Sequence, residues 1–184
     1  MPDPWDRPPF PGRGNSQRTL YEAIGRALMA WEELEGAFAH LYSTFLTGWP
    51  FDVGANHQYG EPLNFVHRVD GLRVIGCRYF YKHPSQALEG EFDVILRFAL
   101  GWSGRRNDVA HGRARPSSWI IESETQGLER YCVIPPHFRA AKFTEERPAY
   151  VLSSREIRRF GEAFWELAHR IGRFFREIEG WHLA

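Results

Sequence analysis

The sequence predicts a mainly α-helical fold, a bundle of at least four helices with a small antiparallel β insertion between the third and the last long helix. Three observations point there. Apolar residues recur at three- and four-residue steps through most of the chain. Between about residues 117 and 152 that period gives way to short β-branched and aromatic runs bounded by Gly and Pro. Helical spacing resumes at Ser153, three residues ahead of Glu156, where each side chain can satisfy the other's backbone amide at a helix start.

The first helix is expected over about 18–47. Leu20, Ile24, Ala27, Leu28, Trp31, Leu34, Phe38, Leu41, Tyr42 and Phe45 lie on one face of it, and at about 1.5 Å per residue it is roughly 45 Å long. Gly48 and Pro50 stop it, and residues 48–62 read as a connecting loop. Pro62 suits the first turn of a second helix, with Leu63, Phe65, Val66, Val69, Leu72 and Ile75 as its stripe up to about Tyr79. A third starts near Ser85 and turns Leu88, Phe92, Ile95, Leu96, Ala99, Leu100 and Trp102 toward the core. The runs "SSWII", "ERYCVI" and "AYVL" read as the strands of the insertion. The last helix carries Ile157, Phe160, Phe164, Leu167, Ile171, Phe174, Phe175 and Ile178 on its apolar face. Residues 18–184 are thus expected to form one domain. The preceding arm, 1–17, has prolines at 2, 4, 8, 9 and 11 and too few apolar residues to bury, so it reads as disordered.

Bulk composition narrows the function. With 23 Lys+Arg against 23 Asp+Glu, no net field draws the whole molecule onto nucleic acid, so any polyanion must be met by a local patch. Cys77 and Cys132 fall in unrelated segments without metal-ligand spacing, which fits free, buried thiols in a reducing cytoplasm and argues against zinc. The N-terminus carries Asp3 and Asp6 where a signal peptide needs a basic and then an apolar run, and no apolar stretch approaches 18 residues, so no membrane association is expected.

The densest concentration of chemistry is "GRRNDVAHG", residues 104–112, at the end of the third helix. A guanidinium presents paired donors that fit two phosphate oxygens and stays charged at any working pH. An imidazole exchanges a proton near neutrality. Together they suffice for a reaction without metal or cofactor. His111 takes the proton from a ribose 2′-hydroxyl or protonates the leaving oxygen, while Arg106 steadies charge on the phosphorane. Residues 104–116 hold Arg105, Arg106, Arg113 and Arg115 against Asp108 alone, a local cationic surplus suited to substrate phosphates.

An Arg followed by a polar residue and, a few residues on, a His, at the end of a long helix in an all-α bundle, resembles the HEPN (higher eukaryotes and prokaryotes nucleotide-binding) family. Arg106, Asn107 and His111 match its Arg, polar residue and His, and Arg105 also falls within the spacing the family tolerates. The resemblance spans roughly residues 18–112 and 153–180, leaving the β insertion and the proline-rich arm outside. It implies a metal-independent endoribonuclease acting as a homodimer on single-stranded RNA, in toxin–antitoxin, phage-defence or RNA-processing settings, with an antitoxin or regulatory protein as a further partner. Some members of the family bind nucleotide, RNA or protein without cleaving, so a non-catalytic scaffold is the alternative.

Helix geometry adds a constraint. Five residues turn an ideal helix by about 500°, leaving Arg106 and His111 about 140° apart, whereas Asn107 and His111 are separated by about 40°. Either the helix loosens before His111, or Arg and His of two copies converge across a two-fold axis. The second is the expectation. The same residues also fit a simple helix terminus, with cations near the C-terminal end of the dipole and Gly112 just past it, or a local hydrogen-bond network holding the next loop. The other histidines are scattered without metal-binding spacing, and no GxSxG turn accompanies the serines near His111.

Overall fold

The protein is described by a computed structural model that covers residues 3–6, 16–117, 130–136, 143–144 and 147–182. Among these residues are five helices: α1 (Gln17–Thr47), α2 (Val53–Gly60), α3 (Phe65–Lys82), α4 (Gln86–His111) and α5 (Ser154–His182). Between α4 and α5 lie β1 (Arg113–Pro116), β2 (Tyr131–Ile134), β3 (Phe143–Thr144) and β4 (Arg147–Pro148). The mainly helical class and the antiparallel insertion are as expected. Most of the proline-rich arm falls outside the described residues, as do residues 118–121 of "SSWII". No helix among the described residues is long and apolar enough to cross a membrane.

The chain groups into two compact units, one of residues 1–31 and 104–164, the other of 32–103 and 165–184. In the first, α1 presents Leu20, Ala23, Ala27 and Trp31, all buried, and α5 presents Ile157, Phe160 and Phe164. Trp31 meets Phe164 edge to face, with ring centroids 5.1 Å apart. Burying each large apolar side chain is worth about 1.5–3 kcal/mol. Gly161 lets the two helices approach closely, since a Cβ there would lie 3.1 Å from Ala27 Cα. The start of α5 is the anticipated reciprocal cap: Ser153 donates from both its amide and its hydroxyl to Glu156 Oε2, at 2.7 and 2.8 Å.

β1 pairs antiparallel with β2 in the register Arg113↔Ile134, Ala114↔Val133, Arg115↔Cys132 and Pro116↔Tyr131. Its sequence, RARP, has little intrinsic strand preference. Tertiary pairing with the buried Cys132 and Val133 of β2 overrides that preference. "AYVL" supplies a single bridge, Leu152 to Val133, with both backbone hydrogen bonds made at 2.8 and 2.9 Å, and no strand of its own. Cys132 is buried as expected, but Cys77 is exposed.

In the second unit, Phe38, Leu41, Phe45, Val69, Leu72, Phe92, Ile95, Leu96, Ile171 and Phe174 are buried. The segment 48–62, read as a loop, contains α2. The signal was small: Asp52 caps it by accepting from the Ala55 amide at 2.8 Å, and only Ala55 and Tyr59, one turn apart, are buried. With no wider stripe, periodicity could not reveal it. α3 starts after Pro62 and not at it, because Asn64 takes the cap position and accepts from His67 N–H at 2.9 Å. Leu63 is accordingly 99% exposed and Val66 half exposed, so neither belongs to the core stripe.

Two polar contacts tie this unit together. Glu35 Oε2 accepts from the Tyr59 hydroxyl at 2.9 Å and from Arg68 Nη1 at 3.2 Å. Glu91 accepts two bonds from Arg170, at 2.6 and 2.8 Å. The hydrogen bonds from Arg170 hold the Glu91 carboxyl below its ordinary value of 4.5, against a smaller opposing effect of burial.

Two predictions follow from glycine surroundings and from this carboxylate. A Cβ at Gly112 would collide with the Val133 methyl and the Asp108 carbonyl and lie 2.9 Å from the Ile134 carbonyl, whereas Gly25, exposed within α1, has nothing near it. Gly112→Ala should lower unfolding stability by about 1–3 kcal/mol, and Gly25→Ala should raise it by about 0.5–1 kcal/mol. Urea midpoints of the two variants should therefore move in opposite directions. A carboxylate whose folded value is depressed contributes stability above its unfolded value, and loses it as pH falls through the folded value. The gap in urea midpoint between wild type and Glu91→Gln should close on acidification below pH 4.5; a gap independent of pH would rule out this ion pair as its source.

Candidate functional site

The stretch 104–111 is the last part of α4, and regular α-helix continues to its end: Gly112 N–H donates to the Asp108 carbonyl at 3.0 Å. The helix has not loosened before His111. In one chain, Arg106 and His111 therefore stay about 140° apart, while Asn107 and His111 share a face. Gly112 also has a different reason for being glycine than a left-handed cap. Its φ is not positive, and it is required because β2 packs onto the helix end where a Cβ would sit.

Within this stretch the arginines divide. The apolar stripe of α4 runs Ile95, Ala99 and Trp102 toward Val109, all buried, and Arg105 falls on its continuation. Arg105 is 7% exposed, and Asp108, three residues on, is fully buried. Arg105 Nη1 lies 2.9 Å from Asp108 Oδ2. The same Oδ2 accepts the Tyr150 hydroxyl at 2.7 Å, and the Arg105 guanidinium sits 5.3 Å over the Tyr150 ring. Nε and Nη1 of Arg105 make no well-directed hydrogen bond among the described residues, so the attraction to Asp108 is Coulombic more than directional. This is a buried network that joins α4 to the residues just ahead of α5. The accessory substrate contact expected of Arg105 has no solvent-facing guanidinium to make it.

Arg106 is half-buried. Its Nη1 donates to Asn107 Oδ1 at 3.2 Å, and its guanidinium lies 6.0 Å from the Trp31 ring centroid. Its Nε is buried without an acceptor among the described residues. His111 ends the helix and is exposed. β1 then carries Arg113, exposed, and Arg115, half-buried, at alternate positions on one face of the ribbon.

Tyr150 is the residue that sequence reasoning missed. It is 42 residues from Asp108, and nothing in local spacing pairs a phenol with that carboxylate. The inward turn of Arg105 was missed as well, although its position three residues beyond Trp102, on the continuation of the apolar stripe, is a signal that could have found it. Trp119 lies outside the described residues, and Tyr131 is half-buried opposite Pro116. Compared with protein-family models, curated proteins and solved structures, the chain matches none.

Removing Asp108 strands a buried guanidinium, so Asp108→Ala should destabilise the fold by about 3–5 kcal/mol. Tyr150→Phe deletes one hydrogen bond to a charged group and should cost about 1.5–3 kcal/mol. Replacing Arg105 and Asp108 together by Met and Leu should recover most of the first loss, as measured by chemical denaturation.

Proposed function

We propose that the chain is a metal-independent endoribonuclease that cuts single-stranded RNA by 2′-hydroxyl transesterification. Arg106 clamps the phosphate, Asn107 orients that guanidinium, and His111 moves the proton. Arg113 and Arg115 hold the flanking backbone. The observation that carries the reading is the presence on one uninterrupted helix of a half-buried guanidinium, whose Nε no described residue accepts, and an exposed imidazole. The ribose 2′-oxygen attacks phosphorus as an imidazole accepts its proton. The bond from phosphorus to the 5′-oxygen breaks, and a second imidazole protonates the departing oxygen. The products are a 2′,3′-cyclic phosphate and a 5′-hydroxyl.

Continuity of α4 to His111 excludes convergence of Arg106 and His111 within one chain through an unwound turn, and so supports action as a homodimer. In an isologous pair a single cleft on the two-fold axis pools two guanidiniums and two imidazoles, which supplies both base and acid. In this reading the protein works in the cytoplasm as a toxin or phage-defence component restrained by an antitoxin or regulatory protein. The contact of Arg106 with Trp31 favours a second reading. A guanidinium braced on a ring can hold an RNA phosphate without cleaving it, as a binding scaffold does.

The test is cleavage of labelled RNA in EDTA by wild type, Arg106→Ala and His111→Ala, with thermal melts of each. Cyclic phosphate ends made by wild type alone, with unchanged melts, are expected. Binding without cleavage by the wild type would move the assignment to the scaffold, and a monomer at micromolar concentration would remove the shared cleft.

A further inference from the structure

The second unit contains a pocket of about 350 Å³ whose lining residues include none of those discussed above as the RNA site. Its apolar side is formed by Phe45 and Ile75, each 8% exposed, and by Tyr79, 7% exposed. Phe45 and Tyr79 are in ring contact at 4.7 Å, and Tyr79 continues to the His83 ring at 4.8 Å, so a run of three rings borders the space. The other side is cationic. Arg78 and Lys82, one turn apart on α3 and both exposed, line the pocket together with the half-buried His83. Among the described residues no carboxylate lines it. Burial pushes the Tyr79 phenol above its ordinary value, so it remains a neutral donor across the physiological range.

Lysine near a helix C-terminus is favourable by itself, because it meets the negative end of the dipole. That accounts for Lys82. It does not account for a concavity with aromatic walls, nor for Arg78 one turn earlier on the same lining. The volume lies at the small end of ligand pockets, suited to a single ring with one substituent. We propose that this pocket binds a small aromatic anion, a flat ring carrying a phosphate or carboxylate. The ring lies against Phe45, Ile75 and Tyr79, and the anionic group meets Arg78 and Lys82, with the imidazole of His83 alongside. Apolar burial and charge-assisted hydrogen bonds then act on opposite ends of one ligand.

Calorimetric titration of the full chain with phenyl phosphate, benzoate, inorganic phosphate and benzyl alcohol tests this without reference to RNA. Phenyl phosphate or benzoate should saturate at one site per chain, and whichever binds tighter identifies the anion. Inorganic phosphate and benzyl alcohol, each lacking one end of the ligand, should bind at least about tenfold more weakly. Arg78→Ala and Lys82→Ala alter exposed side chains and should each weaken binding about three- to tenfold, while Arg26→Ala on α1 leaves it unchanged. Equal affinity in the Arg78→Ala/Lys82→Ala double variant and wild type, inorganic phosphate binding as tightly as the ring-bearing anions, or no saturation by any probe would each overturn the assignment.

Discussion

Asp108 is the constraint around which the first unit is organised. A fully buried carboxylate is tolerated only when its charge is answered, and here Arg105 and the Tyr150 hydroxyl both converge on one of its oxygens. Arg105 comes from the same helix, three residues away. Tyr150 comes from the far end of the β insertion, so the carboxylate links the end of α4 to the segment that leads into α5. Directly beyond Asp108, the Gly112 amide bonds back to its carbonyl, and β2 packs where a Cβ at Gly112 would stand. Helix end, ribbon and the lead-in to α5 thus meet at one short stretch.

That arrangement decides what the neighbouring residues can do. Turning Arg105 and Asp108 inward leaves the intervening Arg106 and Asn107 half-buried, where they bond to one another, and sets His111 on the exposed last turn. The helix remains regular under this load, so its pitch alone dictates that the guanidinium and imidazole point apart. Rigidity here has chemical meaning. A site built on the braced end of a helix holds its groups in fixed directions.

The two compact units differ in how they handle polar groups. The first buries a complete ion pair and its phenol at the base of the candidate site. The second keeps its ion pairs part-exposed, with Glu35 joined to Tyr59 and Arg68, and Glu91 held bidentately by Arg170. It also leaves Arg78 and Lys82 in solvent beside an aromatic-walled pocket. Desolvation makes the first kind of contact costlier to break than the second.

Long amphipathic helices were legible in the sequence because burial of one face imposes a 3.6-residue period, and the stripes of α1, α4 and α5 run over many turns. The cap of α5 was legible for a local reason, since Ser153 and Glu156 need only be three residues apart. α2 escaped notice because two buried residues make no period, and β1 because RARP becomes a strand only when β2 is beside it. The chemistry of the candidate site, Arg106, Asn107 and His111, was likewise present in residue type and spacing. Why Gly112 is glycine and the role of Tyr150 were decided by tertiary structure, because each depends on an atom brought from a distant segment that no local pattern encodes.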